Sequence, residues 1–178
     1  MTTLTQHVCL MAQYNAWMNI KLFDTAAKLS EQALTEDKGA FFGSILGTLN
    51  HIAIADTIWL KRFAPHLPEH NALNLIRELA QPDSLGGIPF ATLDALRARR
   101  LVLDQILTAL AESLSDADLS ITVRYTNSKG IISSKNLFGL LMHVFNHQTH
   151  HRGQVTTLLT QCGLDVGVTD LAAIILDV

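Results

Sequence analysis

Proline is scarce and confined: all four (Pro65, Pro68, Pro82, Pro89) fall in one stretch, so long segments on either side lack the strongest helix breaker. Cysteine is scarcer still. Cys9 and Cys162 stand far apart, which excludes a close-spaced redox or metal motif and a disulfide framework and fits a reducing compartment. Charged residues make up only 16% of the chain, and the formal net charge of -3 supplies no field to gather nucleic acid or anionic lipid. The one basic cluster, Arg97, Arg99 and Arg100, reads as a solvated helix face. No run approaches the roughly 18 consecutive apolar residues of a membrane span. Between Met1 and Gln13 there is no lysine or arginine, so the charged start of a signal peptide is missing and a cytoplasmic location is expected.

What is present is apolar and helical in pattern. Hydrophobic residues are 48% of 178, enough for one domain spanning 1-178 with a sizeable core and rich enough to suggest a second subunit. The first helix is marked by Leu4, Val8, Met11, Met18, Leu22, Thr25 and Leu29 at three- and four-residue steps, with Thr3 and Gln6 as its capping box. A second, from about Phe41 to Phe63, is apolar on most of its circumference. Its side bearing Phe42, Leu46, Leu49, Ala53 and Leu60 is distinct from the one bearing His51, Ala55 and Ile58, and is expected at a homodimer interface. A long connection from Ala64 to Ile88 holds a short helix near Leu73 to Leu79. The third helix, to about Leu114, sets Leu93, Leu96, Leu103, Ile106, Leu107 and Leu110 against a polar side with Asp94, Arg97 and Asp104. Ile121 to Tyr125, Asn127 to Gly130 and Ile131-Ile132 form a hairpin or extended loop. The last long helix spans about Lys135 to Cys162, with Gly163 placed to stop it and Asp170 to Val178 as a short docking tail. The expected fold is all-α, an antiparallel four-helix bundle.

Four of the eight histidines fall between His143 and His151. Side chains four apart on a helix lie one turn above each other, so His143 with His147, or His147 with His151, can converge on one ion. The apolar stripe of Leu137, Leu140, Leu141, Val144, Val155, Leu158 and Leu159 contains His151 and has His147 at its edge, whereas His143 lies about 100° from its centre. His147 and His151 are therefore the preferred pair, and His150 points about 100° away from His151. A third ligand must come from another helix. His51, in the apolar run Leu49 to Ala55, needs a polar partner and is the best candidate. Imidazole suits zinc, nickel or iron, and three such ligands leave a position open for a small-molecule substrate. No glutamate stands between His147 and His151, which disfavours peptide hydrolysis of the zinc-protease kind. Trp17 and Trp59 are expected in the core. Asn15, Asn19 and Asn146 could orient ligand imidazoles or bridge helices.

Tyr14-Asn15-Ala16-Trp17-Met18-Asn19, Gly47-Thr48-Leu49-Asn50-His51-Ile52 with Trp59, Tyr125-Thr126-Asn127, and above all Asn146-His147-Gln148-Thr149-His150-His151-Arg152-Gly153-Gln154 give the chain its resemblance to the DinB family along nearly its whole length. That resemblance implies an up-down-down-up bundle, commonly a homodimer, whose divalent metal is held by one histidine of the second helix and two of the fourth. Those positions are His51, His147 and His151. It further implies kinship with enzymes that use a low-molecular-weight thiol. The functional expectation is a metal-dependent transferase acting on a small molecule, with a non-catalytic metal-binding stress-response protein as the alternative.

Overall fold

The computed structural model describes residues 3–177. They form seven α-helices and one two-stranded sheet. Helix α1 (Leu4–Ala26) starts where Thr3 and Gln6 make a reciprocal capping box. It ends before Leu29, and Ser30 caps a separate short helix, α2 (Glu31–Thr35). Phe41 and Phe42 belong to a tight turn rather than to a helix, because Gly43 takes a positive φ of 72°. Ser44 then caps α3 (Ile45–Phe63) through a 3.0 Å bond from the Gly47 amide. The central connection holds two single 3-10 turns and α4 (Asn74–Glu78) before α5 (Leu93–Ser113), capped by Thr92. After the short α6 (Asp116–Leu119), strands β1 (Thr122–Thr126) and β2 (Ile132–Asn136) pair antiparallel with Val123 opposite Lys135. Asn136 closes β2 and caps α7 (Leu137–Gln161), so that helix begins two residues later than the periodicity suggests. Gly163, at φ 78°, stops it.

Long helix α1 packs on α5 and α7, and α3 packs on the same two. One apolar cluster runs between them, from Val8 and Leu22 through Leu49 and Leu60 to Leu103, Leu141 and Val155. Each fully buried Leu or Ile contributes about 1.5–3 kcal/mol relative to exposure. The tail after α7 lies along α1, where the Tyr14 hydroxyl donates to the Thr169 carbonyl at 2.6 Å. No helix among the described residues is long and apolar enough to cross a membrane.

Two expectations are corrected here. Every residue from Ile45 to Thr57 is buried, so the side of α3 bearing Leu46, Leu49, Ala53 and Leu60 is covered by its own chain and is not free to meet a second copy. Arg100 and Asp104 do not face solvent. They are 3% and 6% exposed, inside the core of α5.

Candidate metal centre

Position along α3 and α7 brings three imidazoles to one point. His51 Nε2 lies 3.1 Å from His147 Nε2, which lies 3.1 Å from His151 Nε2, and the three ligand nitrogens all fall within 4.8 Å of one another. Zn–N bonds of about 2.0–2.1 Å in tetrahedral geometry set neighbouring nitrogens about 3.3 Å apart, so the observed spacing fits one ion. The outer ring nitrogens have partners as well. His51 Nδ1 meets the Leu85 carbonyl at 2.8 Å, and His151 Nδ1 meets Gln154 Oε1 at 2.8 Å. Both acceptors require Nδ1 to carry the proton, which leaves the Nε2 lone pairs of His51 and His151 aimed inward. A proton on His147 Nε2 can satisfy only one of these two lone pairs. A cation satisfies all three.

The surroundings hold the rings neutral. Burial first, then the neighbouring imidazoles of His151 and His51, bring His147 down to about 3. Burial also lowers His51 and His151, against the bonds to Leu85 and Gln154 that raise them. Phe42 stacks on His51 with centroids 3.8 Å apart and meets His151 edge-on at 5.5 Å, walling one side of the centre. Its turn sits close because residue 47 is glycine: a Cβ there would stand 2.2 Å from the Phe42 carbonyl oxygen.

His143 and His150 stay outside. His143 turns to Trp59, with ring centroids 5.0 Å apart, and His150 is exposed beside Gln154. Trp59 is only partly buried and lines a cavity with Tyr125 and His143, so it is not the sealed core ring expected. Nor do Asn15 and Asn19 reach the histidines: they donate to Asp104 at 3.3 and 2.9 Å, while Asn146 bonds the Met142 carbonyl within its own helix. The groups that orient the imidazoles, Leu85 and Gln154, were not picked out by sequence reasoning. Gln154 had a signal, standing three residues after His151 on one helical face; Leu85 acts through its backbone and had none.

Directly behind the histidines lies a buried polar layer. Arg100 bonds Asp56 and sits 3.0 Å from Asp104, and Gln148 donates to the same Asp56 oxygen. Arg152 bonds Asn15 and, at 3.1 Å, Gln148. Two aspartates and two arginines thus balance within the core. Burial raises Asp56 to about 6 although Arg100 pulls it down, whereas the two carboxylates drive Arg100 up against its burial. Both rise, with opposite effects on charge: desolvation disfavours the charged acid, whereas for the base the attraction of the two carboxylates outweighs desolvation and favours the charge.

A mostly helical chain with three converging imidazoles defines a protein able to hold a metal ion. A DinB family model matches residues 1–175. The chain is 26% identical over 158 residues to Protein DinB of Bacillus subtilis (strain 168), covering 89% of this chain and 87% of that protein. The chain belongs to the DinB family.

Proposed function

We propose that this protein is a metal-dependent enzyme of the thiol-transferase type, holding one divalent ion (zinc, nickel or iron) through His51, His147 and His151 and acting on a small molecule. The observation that carries the reading is the set of inward Nε2 lone pairs at 3.1 Å, which a single ion would satisfy together. The framework in this reading is a single-domain, up-down-down-up four-helix bundle, supported by the way α1 and α3 each pack on both α5 and α7. Homodimerisation, implied by family resemblance, would use a face other than the covered side of α3.

A divalent ion in such a site lowers the pKa of a thiol or water and supplies a nucleophile near neutral pH. The chain's own groups prepare for that chemistry. Leu85 and Gln154 fix two tautomers, Phe42 keeps water from one side, and no further Asp, Glu, Cys or His joins the cluster among the described residues. Three protein ligands rather than four favour catalysis over a closed structural site.

The test is metal content after reloading stripped protein, with single alanine variants, followed by a screen of small thiols against model electrophiles. Loss of stoichiometric binding in His51→Ala, His147→Ala and His151→Ala, but not in His150→Ala, is expected. Retention of the ion after loss of His151 would overturn the ligand assignment. A screen in which no thiol reacts faster with loaded than with stripped protein would remove the transferase reading.

A further inference from the structure

One helical turn before His147, α7 carries His143 into a cavity of about 360 Å³ that the proposed ligand set does not use. This is within the range of about 300–1,000 Å³ typical of small-molecule sites. Trp59 and Tyr125 form its walls, their ring centroids 5.1 Å apart and tilted 66°. The hairpin builds the other side. Val123 and Tyr125 lie two apart on β1 and therefore face the same way, and Val123 pairs with Lys135, which brings Tyr125 and Lys135 to one face of the ribbon. Asn136, at the end of β2, completes the rim.

The electrostatics of this cavity have one sign. Lys135 lines it and makes no ion pair or side-chain hydrogen bond among the described residues, and no aspartate or glutamate lines it. Arg62 lies over both aromatic rings, 4.7 Å from the Trp59 centroid and 4.9 Å from that of Tyr125. Its only hydrogen bond among the described residues goes to the Thr126 carbonyl at 3.1 Å, so its charge too is without an anionic partner there. Burial first, and then the Arg62 charge, disfavour protonation of His143. Aromatic walls, one unpaired lysine on the rim and a second cation, Arg62, lying over the same two rings select a planar, anionic guest.

We propose that the Trp59–Tyr125–Lys135 cavity binds a small planar carboxylate, its ring or double-bond system packed against the wall that the two aromatics make together and its carboxylate on Lys135, with the rest of the molecule extending past His143 toward the His147 end of the centre. A step of four residues on α7 rises about 6 Å, so a molecule of modest length spans both places. That this guest is the substrate rests on the proposed metal-dependent function; that the cavity binds it does not.

Calorimetry with benzoate on chelator-stripped protein tests the cavity by itself. Saturable binding is expected, with benzyl alcohol at least about tenfold weaker and benzylamine absent, since a charge-assisted bond contributes about that factor or more. Lys135→Gln, at an exposed position, should weaken benzoate about tenfold, and Arg62→Gln should weaken it in the same direction. Equal affinity for benzoate and benzylamine, or indifference to both substitutions, would overturn the inference even if the histidines hold metal. In nickel-loaded protein the ring protons of bound benzoate should broaden, and Lys135→Gln should abolish the effect. Broadening that persists in Lys135→Gln would mean that benzoate sits on the ion instead, and would also overturn the proposal. Lys135-dependent binding to stripped protein that never retains metal would uphold the cavity and remove the metal reading alone.

Discussion

Replacing Arg100 with methionine separates a solvated arginine from one that neutralises the core. A surface position of that kind changes stability by about 0.5 kcal/mol or less. In the structure Arg100 contacts both Asp56 and Asp104, and its removal leaves two buried carboxylates whose remaining cation, Arg152, bonds Asn15 and Gln148 rather than either acid. Breaking a buried pair from one side costs about 3–5 kcal/mol. At about 2–4 °C per kcal/mol for a chain of this size, the melting temperature should fall by about 6–20 °C. The loss should also depend on pH. The folded-state pKa of Asp56, about 6, stands above its ordinary 3.8, so the native chain holds a proton there that the unfolded chain has released between those values. Without Arg100, one of the influences that lowers it, the pKa rises further. The variant's deficit should therefore be largest at pH 8 and shrink toward pH 5, where the carboxyl is neutral. Thermal melts at both values, in chelator so that metal adds nothing, give the comparison. A deficit below 1 kcal/mol, or one equal at both pH values, would refute the buried-layer account.

Gln154→Ala should weaken metal affinity by about 10–100-fold while leaving the stripped protein's melt within about 0.5 kcal/mol, because Gln154 orients His151 without joining the core; unchanged affinity in a competition titration would remove that role. For His147, held down to about 3 in the fold against about 6.5 when free, the unfolded chain takes up a proton that the native state refuses. This stability is complete above pH 6.5 and is lost as pH falls toward 3, so metal-free protein should lose more stability on acidification than His147→Gln; parallel pH curves would show that His147 is not held neutral.

Spacing made the histidines legible. A repeat of four on one helix and a lone imidazole in an apolar segment are local patterns, and they survive folding because α3 and α7 are continuous through them. The start of α3 was misread because Phe41 and Phe42 continue its apolar pattern, while the positive φ of Gly43 that ends the turn is a backbone property. The error over Arg100 has a different origin. Leu96, Arg100, Leu103, Leu107 and Leu110 step by four and three along one seam, and Arg100 lies in the middle of it, but its adjacency to Arg97 and Arg99 drew it into a basic cluster. The same steps place Asp56 between Ala53 and Leu60, Gln148 between Val144 and His151, and Asn15 and Asn19 between Ala12 and Leu22. Polar residues breaking four seams were a readable sign of one internal layer; which residue pairs with which needed the fold.

That layer links the core to the site. Gln148 follows His147 on α7 and bonds Asp56 on α3, while Arg152 follows His151 and bonds Asn15 on α1, so each proposed α7 ligand has a polar anchor beside it. Apolar packing alone permits α7 small rotations at little cost, whereas a buried polar group that loses its partner is penalised by about 1–3 kcal/mol. The layer should therefore set the rotation of α7 rather than supply net stability, since buried ion pairs replaced together by apolar residues are often neutral or stabilising by about 1–4 kcal/mol. The triple variant Asp56→Leu, Arg100→Met, Asp104→Leu removes both carboxylates with their arginine but leaves Arg152 without a balancing acid and Gln148, Asn15 and Asn19 each short of a partner. When stripped of metal it should therefore melt below the parent yet above Arg100→Met alone. Its zinc affinity should nonetheless fall, because Gln148 loses the carboxylate that ties it to α3 beside His51. Competition titration with a zinc-binding dye reads that affinity directly. A triple variant with parental zinc affinity would show that packing alone orients the histidines, and that the polar layer has no part in positioning them.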